Sequence, residues 1–429
     1  MRERASRWGC QQSFDKFDEI HRIIALAARR GGHHIARMQT THAPTLLALS
    51  FIAIAAATGC TAETAAPESE SNATSTEQDL VAGRSGAVYT LGNDASSNEV
   101  IVFRRSADGS LQRASSHATG GKGSGDGLGS QGALTLAQDR HWLYAVNAGS
   151  DELSVFYVAG EQLYLVDCVP TGGARPISVT VHGNVAYVLH AGRDAAPGSI
   201  RGFRLGLSTG RLSPIAGSSQ PLSGAAVGPA QVSFSPSGRA LLVTEKGTNL
   251  IDEYRVDGGG RASAAVVHAS TGTTPFGFAI TQRGQAIVSE AFGGGADAGA
   301  VSSYQLGSRA GLAPISGSIA NTESAPCWVV LAKNDRYAYV SNTASDSVST
   351  YRVALDGAVS LIGADGRAAD TGEGSKPIDM ALSRNDSDLY VLDSGTAQIS
   401  GFHVGTDGSL TPAGTTAGLP ATAVGLAAY

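Results

Sequence analysis

Aromatic side chains are scarce in this chain, since Phe, Trp and Tyr together make up only 6% of its 429 residues. Glycine, in contrast, occurs 55 times, and the hydrophobic fraction of 42% is ordinary. Glycine readily adopts the positive φ angles that tight turns require. This composition therefore favours many short strands joined by turns, and it excludes a coiled coil and a polytopic membrane protein.

Clusters of lysine and arginine are also absent. The chain carries 31 basic and 37 acidic residues, and eight of the basic and four of the acidic residues lie in 1–37. The remainder therefore holds 31 − 8 = 23 basic against 37 − 4 = 33 acidic residues. Such a body repels phosphate backbones, so we expect no nucleic-acid partner.

Local motifs of several enzyme classes are missing as well. The sequence has no G-x-S-x-G, H-E-x-x-H or C-x-x-C motif, so nothing local supports a serine hydrolase or a zinc site. The glycine-rich stretch 120–132 (GGKGSGDGLGSQG) lacks the Gly-Lys-Ser/Thr ending and the following helix of a phosphate loop. We interpret it as a flexible loop between two repeats that lies over the mouth of the central channel predicted below.

Residues 1–60 are predicted to be a leader that includes a lipoprotein signal peptide. Leu46 to Ala57 form a 12-residue apolar run, which is too short to span a bilayer but has the length of a signal-peptide core. The run ends at Ala57-Thr58-Gly59-Cys60, which resembles the lipobox of bacterial lipoproteins. Cys60 is therefore the predicted lipidation site. An ordinary cleavable signal that ends at Ala57 is the alternative.

The segments on either side of this signal complete the predicted domain organisation. Residues 1–37 are either an over-long gene start or an extended basic leader, and residues 61–85 form a flexible tether. Residues 86–429 form the folded body. On this interpretation the protein is an extracytoplasmic monomer, held at a membrane only by its lipid anchor.

From residue 86 onward the sequence repeats one pattern of short alternating strands. Three copies show it best, beginning at Pro229, Pro326 and Pro377. The centres of the second strands are predicted at Tyr89, Tyr144, Tyr187, Leu242, Ile287, Tyr339 and Tyr390. Their mean spacing is about 50 residues, the period of a four-stranded propeller blade. The pattern predicts an all-β, seven-bladed β-propeller with four-stranded blades.

The two ends of the repeat region predict how the ring closes. The first copy begins directly with its second strand (GAVYTLG), and Leu419 to Tyr429 remains as a spare segment that resembles an inner strand. One blade is therefore expected to combine strands from both termini, which removes the exposed edges of an open sheet. A linear β-solenoid, the alternative, has no use for a displaced terminal strand.

The repeat register predicts which side chains meet at one mouth of the central channel, where second strands end and inner strands begin. The predicted ends of the second strands are Gly92, Asn147, His190, Glu245, Glu290, Asn342 and Asp393. The predicted starts of the inner strands are Ala133, Ser178, Gln231, Gly277, Trp328, Asp379 and Thr422. Three acids and a histidine in one ring exceed what turns alone require, although Asn and Asp also cap strand ends.

This ring supplies the candidate site. The candidate catalytic residues are Glu245, Glu290 and His190. The candidate substrate-binding residues are Lys246, Arg193, Gln231, Trp328, Asn342 and Asp393. Structural roles are the alternative for each, such as a surface loop pair for His190 with Arg193 and simple packing for Trp328.

The remaining cysteines, Cys168 and Cys327, fall on an outer and an inner strand of different repeats. A disulfide requires Cα atoms about 4.4–6.8 Å apart. We therefore expect that the two residues are unpaired and mostly buried thiols.

The motif P-x-x-V-x-F-S-P-x-G-R from Pro229, followed by a strand and by Glu245-Lys246-Gly247-Thr248-Asn249, resembles the seven-bladed lactonase-type propellers. That family includes bacterial 6-phosphogluconolactonase and the fungal carboxy-muconate lactonizing enzymes. The resemblance covers about 86–429, and the segment Tyr339 to Asn342 also resembles the YVTN-type surface propellers.

The resemblance carries over an acid but not a histidine pair. It implies an acidic site residue at Glu245, whereas the His-x-His that the better-studied lactonases have at the start of an inner strand is replaced here by Pro229-Ala230-Gln231.

Two functions follow from these observations. The first is a lactonase or lactonizing enzyme that needs no cofactor, in which Glu245 or Glu290 is the base and Lys246, Arg193 or His190 lies near the oxyanion. The second is a non-catalytic propeller that binds a sugar, a peptide or a protein. A calcium-dependent gluconolactonase-like site is a third alternative, since carboxylates and amides are calcium ligands, but that family has six blades.

Overall fold

The computed structural model describes residues 86–194, 196–332 and 334–429, and this part of the chain folds as the predicted seven-bladed propeller. Thirty strands form seven antiparallel sheets, which are numbered here as blades 1 to 7. The predicted leader, tether and lipidation site at Cys60 lie outside the described residues. Within these residues the only helical element is the 3-10 turn Phe292–Gly294, and no helix is long and apolar enough to cross a membrane.

The strands of the first three blades are as follows. Blade 1 contains β1 (Gly86–Leu91), β2 (Glu99–Arg105), β3 (Leu111–Ala118) and β30 (Val424–Ala428). Blade 2 contains β4 (Leu134–Leu136), β5 (Trp142–Asn147), β6 (Glu152–Ala159) and β7 (Gln162–Pro170). Blade 3 contains β8 (Pro176–His182), β9 (Val185–His190) and β10 (Ser199–Leu205), with β11 (Leu212–Pro214) and β12 (Gln220–Pro221) sharing its outer edge.

The other four blades follow the same order from the channel outward. Blade 4 contains β13 (Pro229–Phe234), β14 (Ala240–Glu245), β15 (Leu250–Arg255) and β16 (Val266–Ala269). Blade 5 contains β17 (Pro275–Ile280), β18 (Gln285–Glu290), β19 (Ala300–Leu306) and β20 (Leu312–Ala320). Blade 6 contains β21 (Pro326–Ala332), β22 (Tyr337–Asn342), β23 (Ser347–Val353), β24 (Val359–Leu361) and β25 (Ala369–Asp370), and blade 7 contains β26 (Pro377–Leu382), β27 (Asp388–Asp393), β28 (Gln398–Val404) and β29 (Leu410–Ala417).

Blade 1 is built from both ends of the described chain. Its inner strand β30 pairs antiparallel with β1, so that Val88 lies opposite Ala428 and Thr90 opposite Leu426. The hydroxyl of Thr90 also donates to the carbonyl of Gly425 at 2.7 Å. The predicted closure is confirmed, and the linear solenoid is excluded because the last strand returns to the first.

The core of the molecule lies between the blades. All residues of β1, β5, β14, β18, β22 and β27 are buried, because each second strand has a strand on either side and a neighbouring blade against each face. The apolar cluster that joins blades 7 and 1 includes Tyr390, Ile399, Phe103 and Leu426. A continuous run of such interfaces is what holds a propeller together.

The meander gives the propeller two distinct faces. The mouth face carries the turns from second to third strands and the connections between blades. The opposite face carries the turns from inner to second strands and from third to outer strands. Cys168 on β7 and Cys327 on β21 lie in blades 2 and 6 and form no disulfide, as expected.

Tyrosines at the centres of four second strands tie each blade to a turn of the next one. Their hydroxyls donate to glycine carbonyls, in the pairs Tyr89–Gly160 (3.1 Å), Tyr187–Gly260 (2.7 Å), Tyr339–Gly408 (3.1 Å) and Tyr390–Gly109 (2.8 Å). All four glycines have a positive φ, between 65° and 87°, which glycine adopts without steric strain. The last pair joins blade 7 to blade 1 and so crosses the point of closure.

The tyrosines allow a matched pair of mutants. Tyr390→Phe removes the bond to Gly109 and leaves a buried carbonyl without its donor, so we expect a loss of about 1–2 kcal/mol in the free energy of unfolding. Tyr144 lies at the same position of blade 2, but its buried hydroxyl has no hydrogen-bond partner within the described chain. Tyr144→Phe should therefore be neutral or stabilising. Urea unfolding measures both, and equal losses for the two variants would contradict the role of the inter-blade bond.

Candidate functional site

The polar residues at the ends of the second strands are all completely buried. These residues are Asn147, His190, Glu245, Glu290, Asn342 and Asp393. The predicted register is correct, since His190, Glu245 and Glu290 lie opposite the prolines that open the inner strands of their blades. The side chains of Glu245 and Glu290, however, are engaged with connections between blades, and Nδ1 of His190 lies 3.2 Å from the hydroxyl of Ser199 in its own blade.

Glu245 holds the connection between blades 3 and 4. One carboxylate oxygen accepts from the backbone N–H of Ser223 at 3.0 Å. The other accepts from the hydroxyl of Ser223 at 2.5 Å and from the hydroxyl of Thr248 at 2.6 Å. Three donors on one buried carboxylate fix both the connection and the turn that follows Glu245.

Glu290 plays the same part between blades 4 and 5. Its Oε1 accepts from the backbone N–H of Gly272 at 2.7 Å, and its Oε2 accepts from the hydroxyl of Ser318 at 2.6 Å. A Cβ atom on Gly272 would lie 2.1 Å from Oε2, so the connection can approach the carboxylate only because this residue is glycine.

The amides follow the same arrangement, whereas the remaining acid bonds within its own blade. Asn147 accepts from Asn98 at 3.0 Å and from Thr119 at 2.7 Å, and Asn342 accepts from Asn321 at 2.9 Å. Asp393 accepts from the hydroxyl of Ser400 at 2.6 Å. These are the structural roles that Asn and Asp favour at strand ends.

We expected these polar side chains to form a ring that is open to the channel. In the structure they are buried instead. The donors of the inter-blade connections are buried and need acceptors, and the strand-end residues supply them. The acidic neighbour of Glu245 is Asp252. Burial is the main cause that raises the pKa of Asp252 to about 7, and repulsion from the Glu245 carboxylate acts in the same direction. The predicted catalytic roles of Glu245, Glu290 and His190 stay predictions.

The glycine-rich connection 120–132 enters the mouth of the channel. The hydroxyl of Ser130 donates to the carbonyl of Ile177 at 2.8 Å, and its carbonyl accepts from the indole N–H of Trp328 at 3.0 Å. The amide of Gln131 bonds both the N–H and the carbonyl of Val329, at 3.1 Å and 2.9 Å. This connection therefore joins the inner strands of blades 3 and 6 across the mouth instead of hanging free above it.

Two predicted binding residues are buried beneath the mouth, and a third stays at the surface. Trp328 is buried against Phe276, with ring centroids 5.1 Å apart. Gln231 is buried and accepts from the backbone N–H of Phe278 at 2.7 Å. Arg193 is more exposed, but its guanidinium is held by Asp151 at 3.2 Å and by the carbonyl of Ala148 at 3.0 Å.

Lys246 has the least ordinary surroundings at the mouth. Its ammonium donates to the carbonyl of Gly129 and lies 4.4 Å from the centre of the Phe276 ring. Burial lowers the pKa of Lys246 to about 8, and repulsion from Arg175 acts in the same direction. Within the described chain neither Lys246 nor Arg175 forms a salt bridge. The mouth thus holds two neighbouring cations without a carboxylate partner.

Arg175 and Phe276 were not predicted from the sequence. Arg175 directly precedes the inner-strand proline of blade 3 and has a φ of 56°, a left-handed conformation that is sparsely populated for a residue with a side chain. Thr274 and Lys376 precede the corresponding prolines of blades 5 and 7 and have the same conformation, with φ of 58° and 49°. This conformation before several repeat prolines is a feature of the repeat, so no signal in the sequence singled out Arg175 among these positions.

Metal ligands are not grouped in the part of the chain that the structure describes. No set of three or more His, Cys, Asp or Glu side chains there could hold a metal ion.

The comparison with family models decides the family. The model described as lactonase, 7-bladed beta-propeller, matches residues 88–223 and 288–423. The chain belongs to this lactonase family. Among curated proteins, none matches it.

Solved structures with the same fold are distant in sequence. A putative 6-phosphogluconolactonase from Bacteroides fragilis is 18% identical, with a TM-score of 0.60 over 80% of this chain and 98% of its own. The periplasmic gluconolactonase of Pseudomonas aeruginosa is 17% identical, with a TM-score of 0.61 over 79% and 98% of the two chains. A protein from Lactobacillus plantarum is 16% identical, with a TM-score of 0.65 over 80% and 99%. At these identities the likeness concerns the fold.

The buried strand-end histidine of this lactonase-family propeller predicts a specific pH dependence. Burial lowers the pKa of His190 from 6.5 to about 4, and its Nε2 has no hydrogen-bond partner within the described residues. Between these values the unfolded chain binds the proton and the folded chain does not. Stability that is present above pH 6.5 is therefore lost as the pH falls towards 4.

His190→Asn places there the residue that blades 2 and 6 use and should abolish this loss. The pH-dependent change in the free energy of unfolding should shrink by up to about 3 kcal/mol between pH 6.5 and 4. Urea unfolding at several pH values measures it. His141→Asn, at an exposed histidine on the opposite face, is the control. An unchanged slope in His190→Asn would contradict the assignment.

Proposed function

We propose that this protein is an extracytoplasmic lactonase-type enzyme that opens a sugar-like lactone at the mouth of the propeller. The observation that carries the proposal is the ammonium of Lys246, which is half-buried, lies over the Phe276 ring and donates to a backbone carbonyl, that of Gly129. A lactone offers the same kind of acceptor, because its ester carbonyl oxygen becomes negatively charged when water attacks. Lys246 is thus suited to the oxygen on which charge develops.

The reaction that this arrangement supports is ordinary ester hydrolysis. Water adds to the carbonyl carbon and releases a proton, and the tetrahedral oxyanion is stabilised by Lys246 with Arg175 beside it. The bond between the carbonyl carbon and the ring oxygen then breaks, and the ring oxygen takes up a proton. The product is an open-chain hydroxy acid, whose carboxylate also suits the two cations.

Glu245 has a positioning role in this proposal. Its bond to Thr248 fixes the turn that carries Lys246, and its bonds to Ser223 tie this turn to the connection between blades 3 and 4. The sequence-based hypothesis instead makes Glu245 or Glu290 the general base. That role requires the carboxylate to take a proton directly from water or substrate, whereas a positioning residue contacts neither.

Location outside the cytoplasm is supported by two observations of different kinds. The sequence has an apolar run that ends in a lipobox-like segment before Cys60. A solved structure with this fold is described as a periplasmic gluconolactonase. Lipid attachment at Cys60 and a monomeric state are parts of the same proposal.

A non-catalytic binding propeller is the second candidate, and the structure contains an observation that favours it. Every acidic strand-end residue at the mouth is completely buried, and Glu245 and Glu290 are occupied by loop donors. In that case Lys246 and Arg175 would bind the carboxylate of a sugar acid or of a protein partner without turnover.

Replacement of Lys246 distinguishes these functions. Lys246→Met should lower kcat/KM on D-glucono-δ-lactone by roughly 10²–10³-fold, the range for removal of one oxyanion donor, whereas Lys246→Arg should keep part of the activity. Only the ammonium form donates its charge, so the wild-type rate above background should fall as the pH rises through about 8. Continuous titration of the released acid measures both effects.

Lys122→Met, at an exposed lysine in the same glycine-rich connection, is the matched control and should leave the rate unchanged. Absence of turnover by the wild type, together with binding of D-gluconate that Lys246→Met abolishes, would establish the binding function instead. Full activity in Lys246→Met would remove this lysine from the site altogether.

A further inference from the structure

The face opposite the mouth carries an uneven distribution of charge. Five arginines lie in turns of blades 4, 5 and 6 on this face, namely Arg239, Arg261, Arg283, Arg309 and Arg336, and all five are exposed. We call them the arginine sector. None of them forms a salt bridge with another described residue.

The acids of the same turns do not neutralise the sector. They are Asp257, Asp335 and Asp356. Asp257 accepts from the backbone N–H groups of Gly259 and Arg261, at 2.8 Å and 2.9 Å, and Asp335 accepts from the backbone N–H of Gln282 at 2.6 Å. These carboxylates hold turns, and the five arginines outnumber the three acids. The guanidinium of Arg261 also donates to the carbonyl of Ala216 at 3.0 Å, and all five arginines stay exposed.

Blades 7, 1 and 2 differ on the same face. Their turns and strand ends carry the acids Asp386, Asp407, Asp108, Asp139 and Glu161 beside the arginines Arg384, Arg104 and Arg140. The positive charge is therefore confined to one side of this face, although the folded body as a whole is acidic.

Two exposed leucines border the arginine sector. Leu207, in the turn between β10 and β11 of blade 3, is 58% exposed, and Leu355, in the turn between β23 and β24 of blade 6, is 78% exposed. A large apolar side chain at the tip of a turn contributes nothing to the core. Beside a group of arginines, it provides an apolar side chain that can enter a bilayer interface.

The direction of the chain points to the same face. β1 runs from Gly86 to Leu91, and Leu91 lies at the mouth end of blade 1. Gly86 therefore lies on the face opposite the mouth, and 85 residues of the chain precede it. The chain therefore enters the propeller on the same face as the arginine sector, at blade 1 on the acidic side of that face.

We propose that the arginine sector, with Leu207 and Leu355, is a docking surface for a lipid bilayer with anionic headgroups. Guanidinium groups pair with phosphate in a bidentate geometry, and each basic residue near an anionic leaflet adds to the attraction. The leucines enter the interface between headgroups and acyl chains. The propeller then sits with its mouth directed away from the bilayer, open to solutes.

Vesicle co-sedimentation tests this surface separately from any acyl chain. The full chain carrying Cys60→Ser is mixed with vesicles of phosphatidylcholine alone or of equal parts phosphatidylcholine and phosphatidylglycerol. We expect binding to the anionic vesicles only, weakened by added salt. The triple change Arg239→Gln, Arg283→Gln and Arg336→Gln should reduce the partition coefficient by roughly tenfold or more.

A second triple variant, which also loses three positive charges and keeps the N-terminal segment, controls for the effect of net charge and of that segment. The triple change Arg113→Gln, Lys122→Gln and Lys376→Gln alters residues on an outer strand and on the mouth face, and it should leave binding unchanged. The pair Leu207→Asp and Leu355→Asp should weaken binding like the first triple change, and thermal melts confirm that all variants fold.

Three results would overturn the proposal. One is equal binding to both vesicle types. Another is an equal loss of binding in the two triple variants. The third is binding of the soluble polyanion heparin without binding of vesicles, which would show that the arginine sector binds an anionic polymer and not a bilayer.

Discussion

The ring depends on hydrogen bonds that cross from each blade to the next. A tyrosine hydroxyl from one second strand reaches the carbonyl of a left-handed glycine in the neighbouring turn, and Tyr390 with Gly109 repeats this bond where the chain closes. Buried Arg105 and Asp388 add a second link between blades 1 and 7, at 3.2 Å. Closure of the ring leaves only the outer edge of each blade free, so every blade interface must be satisfied together.

The same requirement explains the mouth. The connections between blades bury polar donors, and acceptors at the ends of the second strands of blades 2, 4, 5 and 6 bind them. This is why Glu245 and Glu290 are acidic although they are completely buried. Lys246, placed immediately after such an anchor, is left with a carbonyl and an aromatic ring as its partners. The candidate chemistry therefore arises beside the structural anchors rather than on them.

Sequence reasoning was sufficient for the fold because the signals were periodic. Tyr89, Tyr187 and Tyr390 located the second strands, and the spare C-terminal segment located β30. The site was harder, because register gives the position of a residue but not the direction of its side chain. Ser130 and Gln131 come from a glycine-rich connection without hydrophobic periodicity, so its position over the mouth was predicted but its bonds to the inner strands were not. Arg175 has its position from backbone strain before a proline, which the composition does not reveal.

The position of a bound ligand is the most direct test of a working site at the mouth of the propeller. A crystal structure of the protein soaked with D-gluconate, the expected product, tests it. We predict that the carboxylate of the ligand lies within hydrogen-bond distance of Lys246 Nζ, beside Arg175, and that Lys246 no longer donates to the carbonyl of Gly129. Ligand bound elsewhere, with the bond between Lys246 and Gly129 intact, would contradict the assignment of the mouth as the working site.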